Sequence, residues 1–225
     1  MLMGISCARP DDCIAVGKRG GYQEGTLAEH WNGKAWRVLP TPLSHAGISE
    51  LNAVSCSSPQ ACTAVGDQLI TGSARLVTVV MRWNGKTWAL QSTPTSPGEG
   101  QLFSVSCPAA TACTAIGSLG SAAGAGQAAI LAAQWNGRTW TRQPVPAPAG
   151  GSGRMHSVGC ASASSCVAVG INYAPGADGA PGAGRQWPAS VVWNGSTWKL
   201  APVPRPRQAK DGAYLYGVDC SAATA

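Results

Sequence analysis

Cysteine is the side chain whose spacing says most about chemistry in this chain. Eight of the nine cysteines fall in pairs with five residues between them: Cys7 and Cys13, Cys56 and Cys62, Cys107 and Cys113, Cys160 and Cys166. Such pairs can bridge as disulfides or ligate a metal. Structural zinc sites use closer Cys spacing with a second Cys or His pair nearby. The three histidines here, His30, His45 and His156, occupy no equivalent positions beside the pairs. Disulfides are the expected outcome, and no metal ligand is assigned. Closing so short a loop contributes only about 2 kcal/mol in the chain-entropy picture, so each bridge fastens a local hairpin. Disulfides persist in oxidising compartments, which places the protein outside the cell or on its surface. Cys220 has no partner within the chain by this spacing.

The other reactive groups are less ordered. Glycoside hydrolysis needs two carboxylates facing one cleft. The ten acids, Asp11, Asp12, Glu24, Glu29, Glu50, Asp67, Glu99, Asp178, Asp211 and Asp219, share no repeat position and sit in no motif. They read as solvated loop charges. Nucleophile-elbow, phosphate-loop and dinucleotide fingerprints are not found. No catalytic residue and no cofactor are therefore assigned.

Tryptophan is the second ordered residue type. Trp-Asn-Gly-x-x-Trp occurs at 31–36, 83–88, 135–140 and 193–198. Asn-Gly fits a two-residue type I′ hairpin, in which both central residues take positive φ. That turn predicts Trp83 opposite Lys86 and Met81 opposite Trp88, with the two tryptophans as diagonal neighbours on one face. The pairs then serve as a packing clamp between units, or alternatively as sugar-stacking aromatics. Trp187 alone lies outside this pattern. With Arg185 and Tyr173 it forms a candidate binding group in the longest variable loop, whose other reading is an insertion covering its neighbour.

These motifs recur together, and their period names the elements that carry them. The first cysteines, with Cys220 as the fifth, are 49, 51, 53 and 60 residues apart. Periods near 50 belong to propeller blades. Each unit holds four short β-branched runs bounded by Gly, Pro and Asn, exemplified by 51–56, 62–66, 77–83 and 86 onward; they are strands A to D below. The predicted fold is all-β, a β-propeller of four-stranded antiparallel blades. Its repeats span approximately 1–50, 51–101, 102–154 and 155–213, with 214–225 starting a fifth, in one domain over 1–225. A fragment of a five- to eight-bladed propeller is expected, with a closed four-bladed ring as the other possibility. The B–C and D–A connections share one end of the blades, and the B–C connections carry most of the length variation. Binding on a rigid scaffold concentrates on such a rim.

Charged residues make up 12% of the chain, and its net charge of +6 reflects few acids more than many bases. The only loose basic cluster, Arg205, Arg207 and Lys210, is not the concentrated stripe of a nucleic-acid surface. No apolar run approaches the roughly 18 residues that span a bilayer, and the first residues do not read as a secretory leader. Asn194-Gly195-Ser196 matches a glycosylation sequon but reads most simply as a turn.

The combination of Leu51-Asn52-Ala53-Val54-Ser55-Cys56, Ala61-Cys62-Thr63-Ala64-Val65-Gly66 and Trp83-Asn84-Gly85-Lys86-Thr87-Trp88 resembles the repeats of exported actinobacterial propeller proteins. That resemblance covers nearly the whole chain and implies a fold, with no activity attached. Gly85-x-Thr87-Trp88 and its equivalents are also similar to the second half of the Asp-box of sialidase-type propellers, although tryptophan stands where the Asp belongs. The arginine triad, Tyr nucleophile and acid of sialidases map onto no residues here, and the histidines do not match the ligands of kelch-type copper oxidases. The expected function is a non-catalytic extracellular module that binds protein or glycan through its variable face. The alternatives are a glycoside hydrolase and a structural spacer at the cell surface.

Overall fold

The computed structural model describes residues 1–20, 25–43, 48–70, 72, 75–93, 100–120, 129–148, 152–173, 186–204 and 212–220. Sixteen strands and no helix occur among them. The first unit contains β1 (Leu2–Arg9), β2 (Asp12–Lys18), β3 (Thr26–Trp31) and β4 (Trp36–Leu39). The second contains β5 (Ser49–Ser58), β6 (Ala61–Leu69), β7 (Leu76–Trp83) and β8 (Trp88–Leu90). The third contains β9 (Gln101–Ala109), β10 (Ala112–Leu119), β11 (Ala129–Trp135) and β12 (Trp140–Gln143). The fourth contains β13 (Ser152–Ser162), β14 (Ser165–Tyr173), β15 (Gln186–Trp193) and β16 (Trp198–Ala201). Each unit is an antiparallel sheet in simple sequential order, which is the blade expected from the repeat.

The first strands of successive blades lie against one another, β1 on β5, β5 on β9 and β9 on β13, so they form the shared inner edge. Three apolar cores fill the spaces between blades. One joins Ile14, Val16 and Ala28 to Leu51, Val54, Met81, Trp83 and Trp88. Equivalent sets link the second blade to the third and the third to the fourth. Fully buried side chains such as Leu51, Leu102 and Met155 each stabilise the stack by about 1.5–3 kcal/mol. The protein is a stack of β-propeller blades.

A polar device sits within the apolar seam. The serine before the first cysteine accepts a hydrogen bond from the next blade's first cysteine. Cys56 N donates to Ser6 Oγ at 3.0 Å, Cys107 N to Ser55 Oγ at 2.9 Å, and Cys160 N to Ser106 Oγ at 3.0 Å. In the fourth blade Gly159 replaces that serine. A Cβ there would stand 3.1 Å from both Asp219 Cα and Cys220 N, so the glycine lets residues 214–220 lie close against β13. Val218 N donates to Ser157 Oγ at 3.1 Å, as Val158 N does to Ser104 Oγ one blade earlier.

All four cysteine pairs are disulfides across an A–B hairpin with Cα atoms 3.9–4.0 Å apart, and three of them join residues directly opposed in the register. Cys220 is free. The Asn-Gly turn differs from the expected type I′ hairpin. Trp83 pairs directly with Trp88, and Asn84 N donates to Thr87 O at 3.3 Å, so the loop has four residues. Gly85 has φ of 91°, while no non-glycine residue among those described has positive φ. The asparagine side chain explains the change. Asn84 Oδ1 accepts from Lys86 N at 2.9 Å and Thr87 N at 2.8 Å, closing the loop as an Asx turn without left-handed backbone at Asn84. Asn32, Asn136 and Asn194 act in the same way. Each tryptophan pair consequently meets directly across the strands, with ring centroids 5.6–5.8 Å apart and ring planes tilted by 40–45°.

The closed four-bladed ring is excluded by the first blade. Leu2, Ile5 and Trp36 are 47%, 60% and 43% exposed, whereas none of the nine residues at the same repeat positions in the other blades exceeds 7%. Nothing among the described residues covers the outward face of the first blade.

Candidate functional site at the bulged ends of the inner strands

Each inner strand carries a β-bulge at the same place. Pairing runs from Leu51–Gly66 to Ala53–Val65, from Leu102–Gly117 to Ser104–Ile116, and from Met155–Gly170 to Ser157–Val169. Asn52, Phe103 and His156 are the extra residues, and Met3 is their counterpart in the first blade. The glycine of the Ala-Val/Ile-Gly run makes this bend possible. A Cβ on Gly66, Gly117 or Gly170 would overlap the carbonyl oxygen of Glu50, Gln101 or Arg154, respectively. A bulge re-aims a side chain. Here Asn52 Nδ2 reaches Leu102 O at 2.9 Å on the next inner strand, Phe103 reaches His156, and His156 reaches Tyr216.

The bulged residues, with those two positions before them, lie at the end of the blades that carries the B–C and D–A connections. They divide into two halves. The polar half belongs to the first three blades. Lys18 Nζ meets Glu50 Oε2 at 2.9 Å, and Asn52 Nδ2 donates to Asp67 Oδ1 at 3.0 Å. Glu50 and Asp67 are register partners, so the fold brings together two acids that the sequence separates. Asp67 is 4% exposed, which corrects its reading as a solvated charge. Burial, reinforced by the charge of Glu50, pushes its carboxyl up to about 6 against the hydrogen bonds from Asn52 and Gln101.

The second half is aromatic and cationic. The Phe103 and His156 rings lie 5.8 Å apart, His156 and Tyr216 5.0 Å, and Tyr216 and Tyr214 6.1 Å. The Arg154 guanidinium lies 5.9 Å from the Phe103 centroid and 6.0 Å from that of Tyr173. Arg154 Nε and His156 Nε2 are both buried without a hydrogen-bond partner. Burial first, and then the charge of Arg154, hold the His156 imidazole below its ordinary value, so it is neutral at pH 7. Tyr216 is 67% exposed and opens the ladder to solvent.

At the opposite end of the blades a cleft of about 310 Å³ lies between the first and second blades, lined by Arg9, Asp12, His30, Arg37 and Trp83. His30 Nε2 lies 3.1 Å from Asp12 Oδ1. Its counterpart in the second blade, Arg82, fills the next seam, donating to Ala110 O at 2.8 Å and covering Trp135 at 4.7 Å. The cleft thus exists because histidine is shorter than arginine. Among the described residues no three His, Cys, Asp or Glu gather as a metal site.

The residues expected to bind are placed as follows. Tyr173 is buried and joins the Arg154 cluster. Trp187 is opposite Asn172 in the β14–β15 ladder and so points to the other sheet face from Tyr173. Arg185 lies outside the described residues. Sequence reasoning passed over Asn52, Phe103, Arg154, His156, Tyr214 and Tyr216. Aligning the repeats on their cysteines would have exposed them. The column four residues before the cysteine reads Met3, Asn52, Phe103, His156 and Tyr216 amid columns that barely change.

No protein-family model matches the chain, and a search of the curated proteins returns no match. Among solved structures it is similar to "YCF48 bound to D1 peptide" at 13% identity and a TM-score of 0.40, covering 88% of this chain and 80% of that one. It is also similar to YCF48 from Cyanidioschyzon merolae at 13% identity and a TM-score of 0.38, covering 91% and 86%. No family follows from these likenesses.

Proposed function

We propose that the chain is a non-catalytic binding or scaffold module, displayed outside the cell, that takes a protein or glycan partner at the B–C end of its blades. One observation carries this reading. A scaffold that repeats its disulfides, turns and tryptophans changes its side-chain chemistry from blade to blade at the bulged inner-strand positions. Rigid strands presenting non-repeating aromatic and polar groups are suited to recognition. The four disulfides support an oxidising, extracellular setting.

Retention on peptide and glycan arrays tests the reading with the disulfide-bonded chain. Binding should be lost when Tyr214 and Tyr216 are both changed to Ser and kept in Arg37→Gln at the opposite end. Retention on neither array leaves the structural spacer as the better reading.

A second reading, glycoside hydrolysis, draws on the Glu50–Asp67 pair, two register partners of which Asp67 has its carboxyl raised by burial and by the neighbouring charge, as a general acid would. Asp67 is buried and engaged by Asn52, which opposes direct contact with a sugar. Glycosidase turnover abolished by both Glu50→Gln and Asp67→Asn would establish this reading over the binding one.

A further inference from the structure

We infer that the Phe103, Arg154, His156, Tyr173, Tyr214 and Tyr216 cluster is a seat for an acidic polypeptide segment, in which a carboxylate meets the Arg154 guanidinium and neighbouring apolar atoms lie on the tyrosines. This rests on the binding-module reading and narrows its partner.

The inference begins with an uncompensated cation. The Arg154 side chain makes no hydrogen bond and no ion pair among the described residues, and its Nε is buried without a partner. Lys18 is met by Glu50, and Arg82 by Ala110 O and Thr63 Oγ1, while Arg19 Nε is also buried without a partner but lies outside this aromatic group. Among the described residues, Glu50 and Asp67 are the acids at this end, and they are held in the polar half by Lys18 and Asn52. A partly buried guanidinium flanked by two rings keeps its fork for an incoming carboxylate. His156 adds a buried, unpartnered Nε2 within the same ladder.

The surroundings favour protein over sugar. Tyrosine, phenylalanine and arginine, gathered on a patch poor in other charge among the described residues, are the residues that concentrate binding energy at protein interfaces. The net charge of +6 adds a long-range pull towards an acidic partner. The tyrosines are also pre-placed, because Gly159 and Ser157 hold residues 214–220 on β13.

Fluorescence anisotropy of labelled ten-residue peptides tests this with the full disulfide-bonded chain. One peptide alternates Glu with Phe, its control alternates Gln with Phe, and a labelled oligogalacturonate supplies carboxylates on a sugar. The acidic peptide should bind about tenfold more tightly than its Gln control, and Arg154→Gln should erase that difference. Tyr216→Ala, at an exposed position, should weaken both peptides. Circular dichroism and a count of intact bridges establish that each variant is folded. Equal binding of the two peptides, or an unchanged preference in folded Arg154→Gln, overturns the inference. Binding of the oligogalacturonate with both peptides ignored overturns the polypeptide class. Failure of all three probes overturns it too, and binding elsewhere on the arrays would then still uphold the broader module.

Discussion

Asp67 carries a charge that folding disfavours. Its ordinary value of 3.8 rises to about 6 in the folded chain, so the folded form holds its proton more tightly than the unfolded form. The associated stability is fully present below 3.8 and is lost as pH rises through about 6; the gap amounts to about 3 kcal/mol. Asp67→Asn should lack that loss. Calorimetric melting of both proteins between pH 4 and 7 should show the parent losing stability relative to the variant, and parallel curves would refute the assignment. Why this residue was misread follows from its partner. Asp67 and Glu50 meet only through the β5–β6 register, which no motif announces. Cysteine and tryptophan were legible because they recur. Phe103, Arg154 and His156 were not, because a search for recurrence discards whatever changes at a fixed position.

At the level of the strand and its turn, one glycine per blade permits the bulge that aims the site. Gly66→Ala would force a methyl group into the Glu50 carbonyl, costing about 3 kcal/mol or more in chemical denaturation. Because the bend would straighten or shift, Asn52 should also lose its place against Leu102 O. In the tight turn, Asn84→Ala removes the acceptor for two backbone N–H groups and should cost about 1 kcal/mol. The strands themselves were legible from β-branched runs, and the hairpin from Asn-Gly. Its loop length was not, since asparagine can close a loop either through left-handed backbone or through its side chain, and both give the same two letters.

For the whole molecule, the decisive comparison is between one repeat position exposed and the same position buried. Ile5 stands on the open face of the first blade, while Val105 is its counterpart inside the second seam. Ile5→Lys, at a position 60% exposed, should leave the melting temperature within about 2 °C. Val105→Lys should abolish cooperative folding, because it buries an unpaired charge. Blade architecture was legible because each unit repeats its own seam chemistry; the rejection of a closed four-blade ring needed coordinates, since sequence does not fix the angle between blades. Stacked units joined mainly to their neighbours also respond to force in a characteristic way. Pulled from its two ends in an optical trap, the chain should yield blade by blade. Each disulfide withholds a six-residue span from extension, so reducing agent should lengthen every release by about 20 Å. The cross-strand bridges thereby become rulers: a chain that carries them signals its redox state in the length it gives up under load.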